Sequence, residues 1–184
     1  MRILPRLLCI SCLAALLAGC DPTASIPTAA VTQAAPPESD AISVYFTDPQ
    51  SERAGPDEVL AQAIAAAQTS VDMAMFNLSL PSIRDALLDA NRRGVTVRLV
   101  VDSETYNDAV PERLRSAGIA VISDRRQELM HNKFTILDGQ EVWTGSLNLS
   151  TGGTYSDYNN LVRIRSTRLA QDYTAEFEEM FLDD

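Results

Sequence analysis

The chain has few cysteines, one histidine and fewer basic than acidic residues, and these shortages limit the kinds of protein it can be. Its cysteines, Cys9, Cys12 and Cys20, all precede residue 21, so the body that follows has no cysteine for a disulfide or a metal site. His131 is its only histidine. Lys and Arg total 15 against 25 Asp and Glu, which gives a net charge of −10. A protein that binds nucleic acid tightly usually presents a basic field, and the overall balance of this chain argues against one.

The first residues have the composition of a bacterial secretion signal. Arg2 and Arg6 precede an uncharged, mostly apolar run at 7–19, which is too short to span a bilayer comfortably and suits the core of a signal peptide. The run ends in Leu17-Ala18-Gly19-Cys20, which resembles a bacterial lipobox. The resemblance implies removal of residues 1–19 and lipidation of Cys20. The alternative is an ordinary signal peptide with a coincidental cysteine.

Residues 20–40 are expected to form a lipidated cysteine and a flexible tether. The segment after Cys20 is rich in Pro, Ala, Thr and Ser and has no apolar periodicity. Such a tether has a root-mean-square reach of about 25 Å. We therefore expect a lipoprotein on the extracytoplasmic side of a bacterial cell envelope, attached to the membrane through acyl chains on Cys20.

Residues 41–184 predict one α/β domain. Strand-like and helix-like patterns alternate through the first half, which indicates a largely parallel sheet with helices on both faces. A hairpin and a last strand follow, and a helix closes the chain. Strands are predicted at 42–46, 71–76, 95–101, 119–122, 133–137, 141–144 and 161–164, and helices at 56–68, 81–93, 106–117 and 168–182. Asn77, Asp102 and Glu104 follow predicted strands, where each is expected to be a loop or capping residue or to line a groove.

The stretch from His131 to Ser150 carries the chemistry. His131 and Lys133 are two residues apart, so on a strand they point to one face. Ser146 and Asn148 follow the returning strand, so an imidazole, an ammonium, a hydroxyl and a carboxamide can converge at one end of the hairpin. A nitrogen nucleophile with donors for non-bridging oxygens suits a phosphate. The alternative is a hairpin whose lone histidine only packs locally.

His131-x-Lys133-x4-Asp138, followed by Gly145-Ser146-x-Asn148, resembles the HKD motif of the phospholipase D superfamily. The resemblance covers about residues 41–184 and implies the mixed α/β fold of that superfamily. It also implies hydrolysis of a phosphodiester through a covalent phosphohistidine on His131. No cofactor and no metal are implied, because lysine and protonated histidine supply the positive charge.

The resemblance assigns roles to the motif residues. Catalysis would involve His131, Lys133, Asp138, Ser146 and Asn148. Lys133 and Asn148 would bind the non-bridging oxygens, Ser146 is a weaker candidate for that task, and Asp138 would order the motif. The family mechanism needs a second imidazole to protonate the leaving alcohol. Because this chain has one motif, the resemblance implies a homodimer with a shared active site on a two-fold axis.

The sequence departs from the family pattern at Asn159, where members often carry a glutamate that holds the histidine. A carboxamide would still orient the imidazole and contact substrate, but it would stabilise the charged ring less. Asp157 is an alternative if the strand shifts by two residues. Three functions stay open: a membrane-tethered phospholipase D acting on phospholipid, a metal-independent endonuclease acting on DNA or RNA, and a non-catalytic envelope lipoprotein with a degenerate site.

Overall fold

The computed structural model of the protein describes residues 41–50 and 55–182. The predicted signal peptide, Cys20 and the tether lie outside the described residues. The strands are β1 Ile42–Phe46, β2 Ser70–Met75, β3 Thr96–Val101, β4 Ala120–Ser123, β5 Lys133–Leu137, β6 Glu141–Gly145 and β7 Asn160–Arg165. They form one seven-stranded sheet in the order β1-β7-β6-β5-β2-β3-β4.

Five helices accompany the strands within the described residues. They are α1 Pro56–Ala66, α2 Pro81–Arg92, α3 Ala109–Ser116, α4 Thr151–Tyr155 and α5 Thr167–Leu182. Proline opens both α1 and α2, because a first-turn N–H has no partner inside the helix and its loss there costs little. None of the described helices is long and apolar enough to cross a membrane.

The helices cover both faces of the sheet. On one face α1, α2 and α3 bury side chains such as Leu60, Leu87 and Leu114. On the other face α5 buries Phe177 in a cluster that includes Phe134 of β5. Successive strand residues point to opposite faces, so the central strands β6, β5, β2 and β3 supply apolar side chains to both layers. The predicted mixed α/β sheet between two helical layers is confirmed.

The share of parallel pairing is smaller than the sequence predicted. Only β2 with β3 and β3 with β4 pair in parallel, while the other four pairs are antiparallel. Residues 138–140 join β5 to β6, and so short a connection requires antiparallel neighbours, since a parallel pair needs a long crossover. The alternating helices and strands of the first half did not reveal that β1 would join the far edge beside β7.

Strand direction places the candidate residues at one edge of the sheet. The pairings make β1, β2, β3, β4 and β6 run one way, with β5 and β7 opposed. Five carboxyl ends and two amino ends therefore meet at what we call the site edge. His131 precedes β5, Ser146 follows β6 and Asn159 precedes β7, so all three lie at this edge.

Candidate functional site

His131 and Lys133 lie against one aromatic ring. The His131 imidazole meets the ring of Phe76 edge to face, with centroids 5.0 Å apart. The Nζ atom of Lys133 is 5.3 Å from the centroid of the same ring. It also donates a hydrogen bond to the His131 carbonyl oxygen at 3.0 Å. The structure thus brings together the two motif residues that the sequence placed on one face, and Phe76 is a neighbour that sequence reasoning missed.

Partial burial lowers the pKa of Lys133. The side chain is half-buried, and desolvation lowers the pKa of its ammonium from the ordinary lysine value of 10.5. A partly desolvated cation attracts an anion more strongly than a fully hydrated one, because water screens the interaction less. The position of Lys133 beside His131 therefore suits an anionic ligand.

The loop after β3 holds the histidine in place. Asp102 is fully buried, and its Oδ2 atom accepts a hydrogen bond from the Met130 backbone N–H at 2.8 Å. Its Oδ1 atom accepts from the Glu104 N–H at 2.9 Å. The Thr105 hydroxyl donates to the Phe76 carbonyl oxygen at 2.8 Å. Asp102 is thus the loop-capping residue that its strand-end position indicated, and it fixes the residue that precedes His131.

Asp138 lies at the opposite end of β5 from the site edge. Its carboxylate accepts hydrogen bonds from the backbone N–H groups of Gln68, Thr69 and Ser70 at 2.7–3.0 Å and from the Thr69 hydroxyl at 2.9 Å. Burial alone would raise the pKa of Asp138, but these hydrogen bonds outweigh it and hold the pKa below 3.8. The residue joins β5 to the start of β2, so it orders the motif and does not reach a substrate at the site edge.

The Gly145–Asn148 turn closes the site edge beside Lys133. The Thr144 hydroxyl donates to the Lys133 carbonyl oxygen at 3.0 Å, which ties the end of β6 to the start of β5. Gly145 has a φ of +148°, and a Cβ atom there would collide with the carbonyl oxygen of Asn160. The close approach of this turn to β7 therefore requires glycine.

Asn148 carries an unsatisfied polar atom. Its Oδ1 is buried and has no hydrogen-bond partner among the described residues. A buried polar atom without a partner costs about 1–3 kcal/mol, so few are kept in folded proteins. Because Oδ1 is an acceptor and cannot bind a phosphate oxygen, a phosphate-binding role for Asn148 rests on the Nδ2 donor of the same carboxamide.

Asn159 orders the turn and does not hold the histidine of the same chain. Its Oδ1 accepts from the Ser146 hydroxyl at 2.9 Å, and its Nδ2 donates to the Gly153 carbonyl oxygen at 2.8 Å. Both ends of the carboxamide are thus used, and within the described residues it has no hydrogen bond to His131. Within one chain the carboxamide therefore orders the Ser146 turn and α4, and the expected contact with an imidazole stays a prediction.

A cavity of about 540 Å³ opens beside His131. Apolar side chains supply part of its wall, and the charged groups are three carboxylates and one guanidinium. The lining residues are Asp124, Arg126, Glu128, Leu129, Met130, His131, Asn132, Glu176 and Met180. A groove for a nucleic-acid backbone would be basic, and this one is apolar and acidic. No three His, Cys, Asp or Glu residues of 41–50 and 55–182 group as a metal site would require.

Comparisons with known proteins agree with this geometry. Residues 60–181 match the family model described as "Cardiolipin synthase, PLD-like domain". The chain is 38% identical over 118 residues to the mitochondrial cardiolipin hydrolase of Xenopus laevis, covering 62% of this chain and 56% of that protein. It is 31% identical over 134 residues to the phospholipase D of Rickettsia prowazekii, covering 72% and 63%. The chain spans about half the length of the cardiolipin hydrolases it matches.

A solved structure has the same fold. Nuc from Salmonella typhimurium, described as a phospholipase D family member, superposes with a TM-score of 0.67 at 26% sequence identity. The match covers 76% of this chain and 92% of Nuc.

Proposed function

Because the chain belongs to the phospholipase D superfamily, we propose that it is a phosphodiester hydrolase whose substrate is a phospholipid. The observation that carries the choice of substrate is the lining of the cavity beside His131. Leu129, Met130 and Met180 suit acyl chains, whereas the carboxylates there would repel a polyanion. The membrane anchor expected at Cys20 would keep the domain near such a substrate.

The proposed reaction begins with attack by a nitrogen of the His131 imidazole on phosphorus. The bond from phosphorus to the leaving alcohol oxygen breaks, and that oxygen takes a proton from a second imidazolium. The second imidazole then removes a proton from water, which attacks phosphorus and releases His131 together with a phosphomonoester. Lys133 and Asn148 would stabilise the charge that grows on the non-bridging oxygens.

The second imidazole is proposed to come from another copy of the chain. His131 is the only histidine in the sequence, and attack and protonation occur on opposite sides of phosphorus. A two-fold interface presents the same residue from each partner, so two copies of His131 can share one phosphate. Sedimentation should show a dimer, and adding excess inactive His131→Ala chain should suppress wild-type activity as subunits exchange. An active monomer would refute the shared site.

The chemistry is tested with the full-length chain in EDTA. Hydrolysis of an aryl phosphodiester is followed beside phospholipid vesicles and a plasmid, with His131→Ala as the control. Turnover of the aryl diester that disappears in the variant, together with preference for the vesicles, is expected. Retained activity in the variant would exclude His131 as the nucleophile, and no turnover of any substrate would favour a degenerate site.

An endonuclease is the second candidate. The sequence favours it, because a short chain with one HKD motif resembles the non-specific endonucleases of the superfamily. In the experiment above, faster cleavage of the plasmid than of the vesicles would select this function. The charges on the cavity wall oppose it, but catalysis needs only transient contact with the nucleic-acid backbone.

Attachment through Cys20 and a position in the bacterial cell envelope are also proposed, from the sequence alone. Growth with an alkyne-labelled fatty acid should label the wild-type chain and leave Cys20→Ser unlabelled. Equal labelling of both would refute the lipidation site.

A further inference from the structure

The short helix α4 packs directly under Asn148. The Thr154 side chain is buried, and its hydroxyl lies 3.5 Å from the Asn148 carbonyl oxygen. A Cβ atom added to Gly153 would lie 2.6 Å from that carbonyl oxygen and 2.9 Å from the Asn148 Cβ. No side chain fits between the two segments, so the position of α4 sets the position of Asn148.

The same helix is attached to the start of α1. A Cβ atom on Gly55 would lie 2.7 Å from Thr154 Cγ2 and 3.3 Å from Tyr155 Cε1, so glycine is required here as well. The Tyr155 hydroxyl donates a hydrogen bond to Asp57 Oδ1 at 3.0 Å. One face of α4 thus meets Asn148 and another meets the first turn of α1.

Asp57 is the residue of α1 that binds α4. It is 1% exposed, and its carboxylate accepts from the Tyr155 hydroxyl and, at 2.6 Å, from the Ser82 hydroxyl of α2. It lies in the first turn of α1, where the helix dipole favours a negative charge. The two hydroxyl donors differ in one respect: Tyr155 belongs to α4, while Ser82 does not.

A second connection runs from α4 to Ser146. The Gly153 carbonyl oxygen accepts from Asn159 Nδ2, and Asn159 Oδ1 accepts from the Ser146 hydroxyl. Hydrogen bonds and close packing therefore join Asp57 to both polar residues of the Gly145–Asn148 turn through one helix.

We infer that Asp57 and Tyr155 are positioning residues, which act through α4 to hold the Gly145–Asn148 turn in place and, with it, the Asn148 carboxamide at the phosphate site. The inference rests on the proposed phosphodiesterase function. If the turn moves when the Tyr155 hydroxyl is removed, the Asn148 donor no longer matches the charge that develops on the non-bridging oxygens. A displacement of about 1 Å can lower the rate by about 100-fold.

The test uses the full-length chain and an aryl phosphodiester. Tyr155→Phe removes the bond between α4 and Asp57, and Ser82→Ala is the matched control because it removes the other hydroxyl from the same carboxylate. We expect kcat to fall at least about tenfold in Tyr155→Phe, with little change in KM, and to stay near wild type in Ser82→Ala. Thermal unfolding measured in parallel identifies assay temperatures at which every variant is folded.

Gly153→Ala provides a second route to the same displacement, because its added methyl group presses on Asn148 from the side of α4. A loss of kcat like that of Tyr155→Phe supports the inference. Equal kcat in Tyr155→Phe, Ser82→Ala and the wild type overturns it while leaving the proposed function intact. Absence of turnover by the wild-type chain overturns the proposed function, and this inference with it.

Discussion

The Ser146 hydroxyl donates a 2.9 Å hydrogen bond to Asn159 Oδ1, so two residues singled out separately in the sequence belong to one structural unit. The other end of the Asn159 carboxamide donates to Gly153 at 2.8 Å. This arrangement needs an acceptor and a donor on one side chain. Asparagine supplies both, whereas an ionised glutamate or aspartate supplies acceptors only.

Asn159→Asp should therefore destabilise the domain. The change removes the donor to the Gly153 carbonyl oxygen and sets two acceptors against each other, at a cost of about 1–3 kcal/mol. Urea denaturation at pH 7 measures the loss, and Ser146→Ala shows the contribution of the other bond. Below about pH 4 the introduced carboxyl gains a proton and can donate again, so the difference from the wild type should shrink. A pH-independent difference would argue against this explanation.

Asp138→Asn should lower stability without touching the site edge. The carboxylate accepts hydrogen bonds from four donors in residues 68–70. A hydrogen bond to a charged group contributes about 1.5–3 kcal/mol to stability. Asparagine keeps one acceptor and tolerates the φ of +54° at this position, so we expect a loss of about 2 kcal/mol.

The pH dependence of that loss follows from the lowered pKa of Asp138. A carboxylate whose pKa is lower in the folded state than in the unfolded state stabilises the fold above the unfolded value. Its contribution to stability disappears as the pH falls from 3.8 through the lower pKa that Asp138 has in the folded state. Denaturation midpoints of Asp138→Asn and the wild type should thus converge in strong acid. An equal gap at pH 7 and pH 2 would contradict the assignment.

The loss of activity at alkaline pH should reflect deprotonation of Lys133. Burial lowers the pKa of this ammonium, so the cation is lost below the ordinary value of 10.5 as the pH rises. We expect kcat/KM for the aryl phosphodiester to fall on an alkaline limb below that value. Lys133→Arg keeps its charge and should move the limb upward, even if its overall rate is lower. A limb at the same pH in both proteins would assign it to another group.

Asp102→Asn should affect both stability and activity. Asp102 accepts hydrogen bonds from the backbone N–H groups of Glu104 and Met130. In the asparagine variant one of these two N–H groups would face the side-chain NH₂ group. We expect a loss of about 1–3 kcal/mol and a lower kcat, because Met130 precedes His131. The exposed Asp108→Asn is the matched control and should be neutral in both measurements. Wild-type kcat in Asp102→Asn would show that this loop does not set the position of His131.

The sequence predicted the hairpin and the placement of His131 beside Lys133, because strand alternation and the Asp138-Gly139 turn are local properties. It did not predict the antiparallel pairs β1–β7, β6–β7 and β2–β5, since they depend on how segments distant in sequence join the sheet. Helix α4 has too few residues and too many glycines for a periodic signal. Phe76, Asp57 and Tyr155 gave no pattern either, because their roles arise from contacts between segments distant in sequence.

The hydrogen bonds of Asp138 to residues 68–70 also limit how the motif can change length. They fix one end of β5 against β2, and Lys133 lies at the other end opposite Met75. With Asp138 held in place, insertion or deletion of one residue between Lys133 and Asp138 would shift the residues before the change by one position and turn Lys133 to the other face of the sheet. The spacing of four residues between Lys133 and Asp138 is therefore fixed, and natural or engineered changes in chain length should be confined to segments outside it.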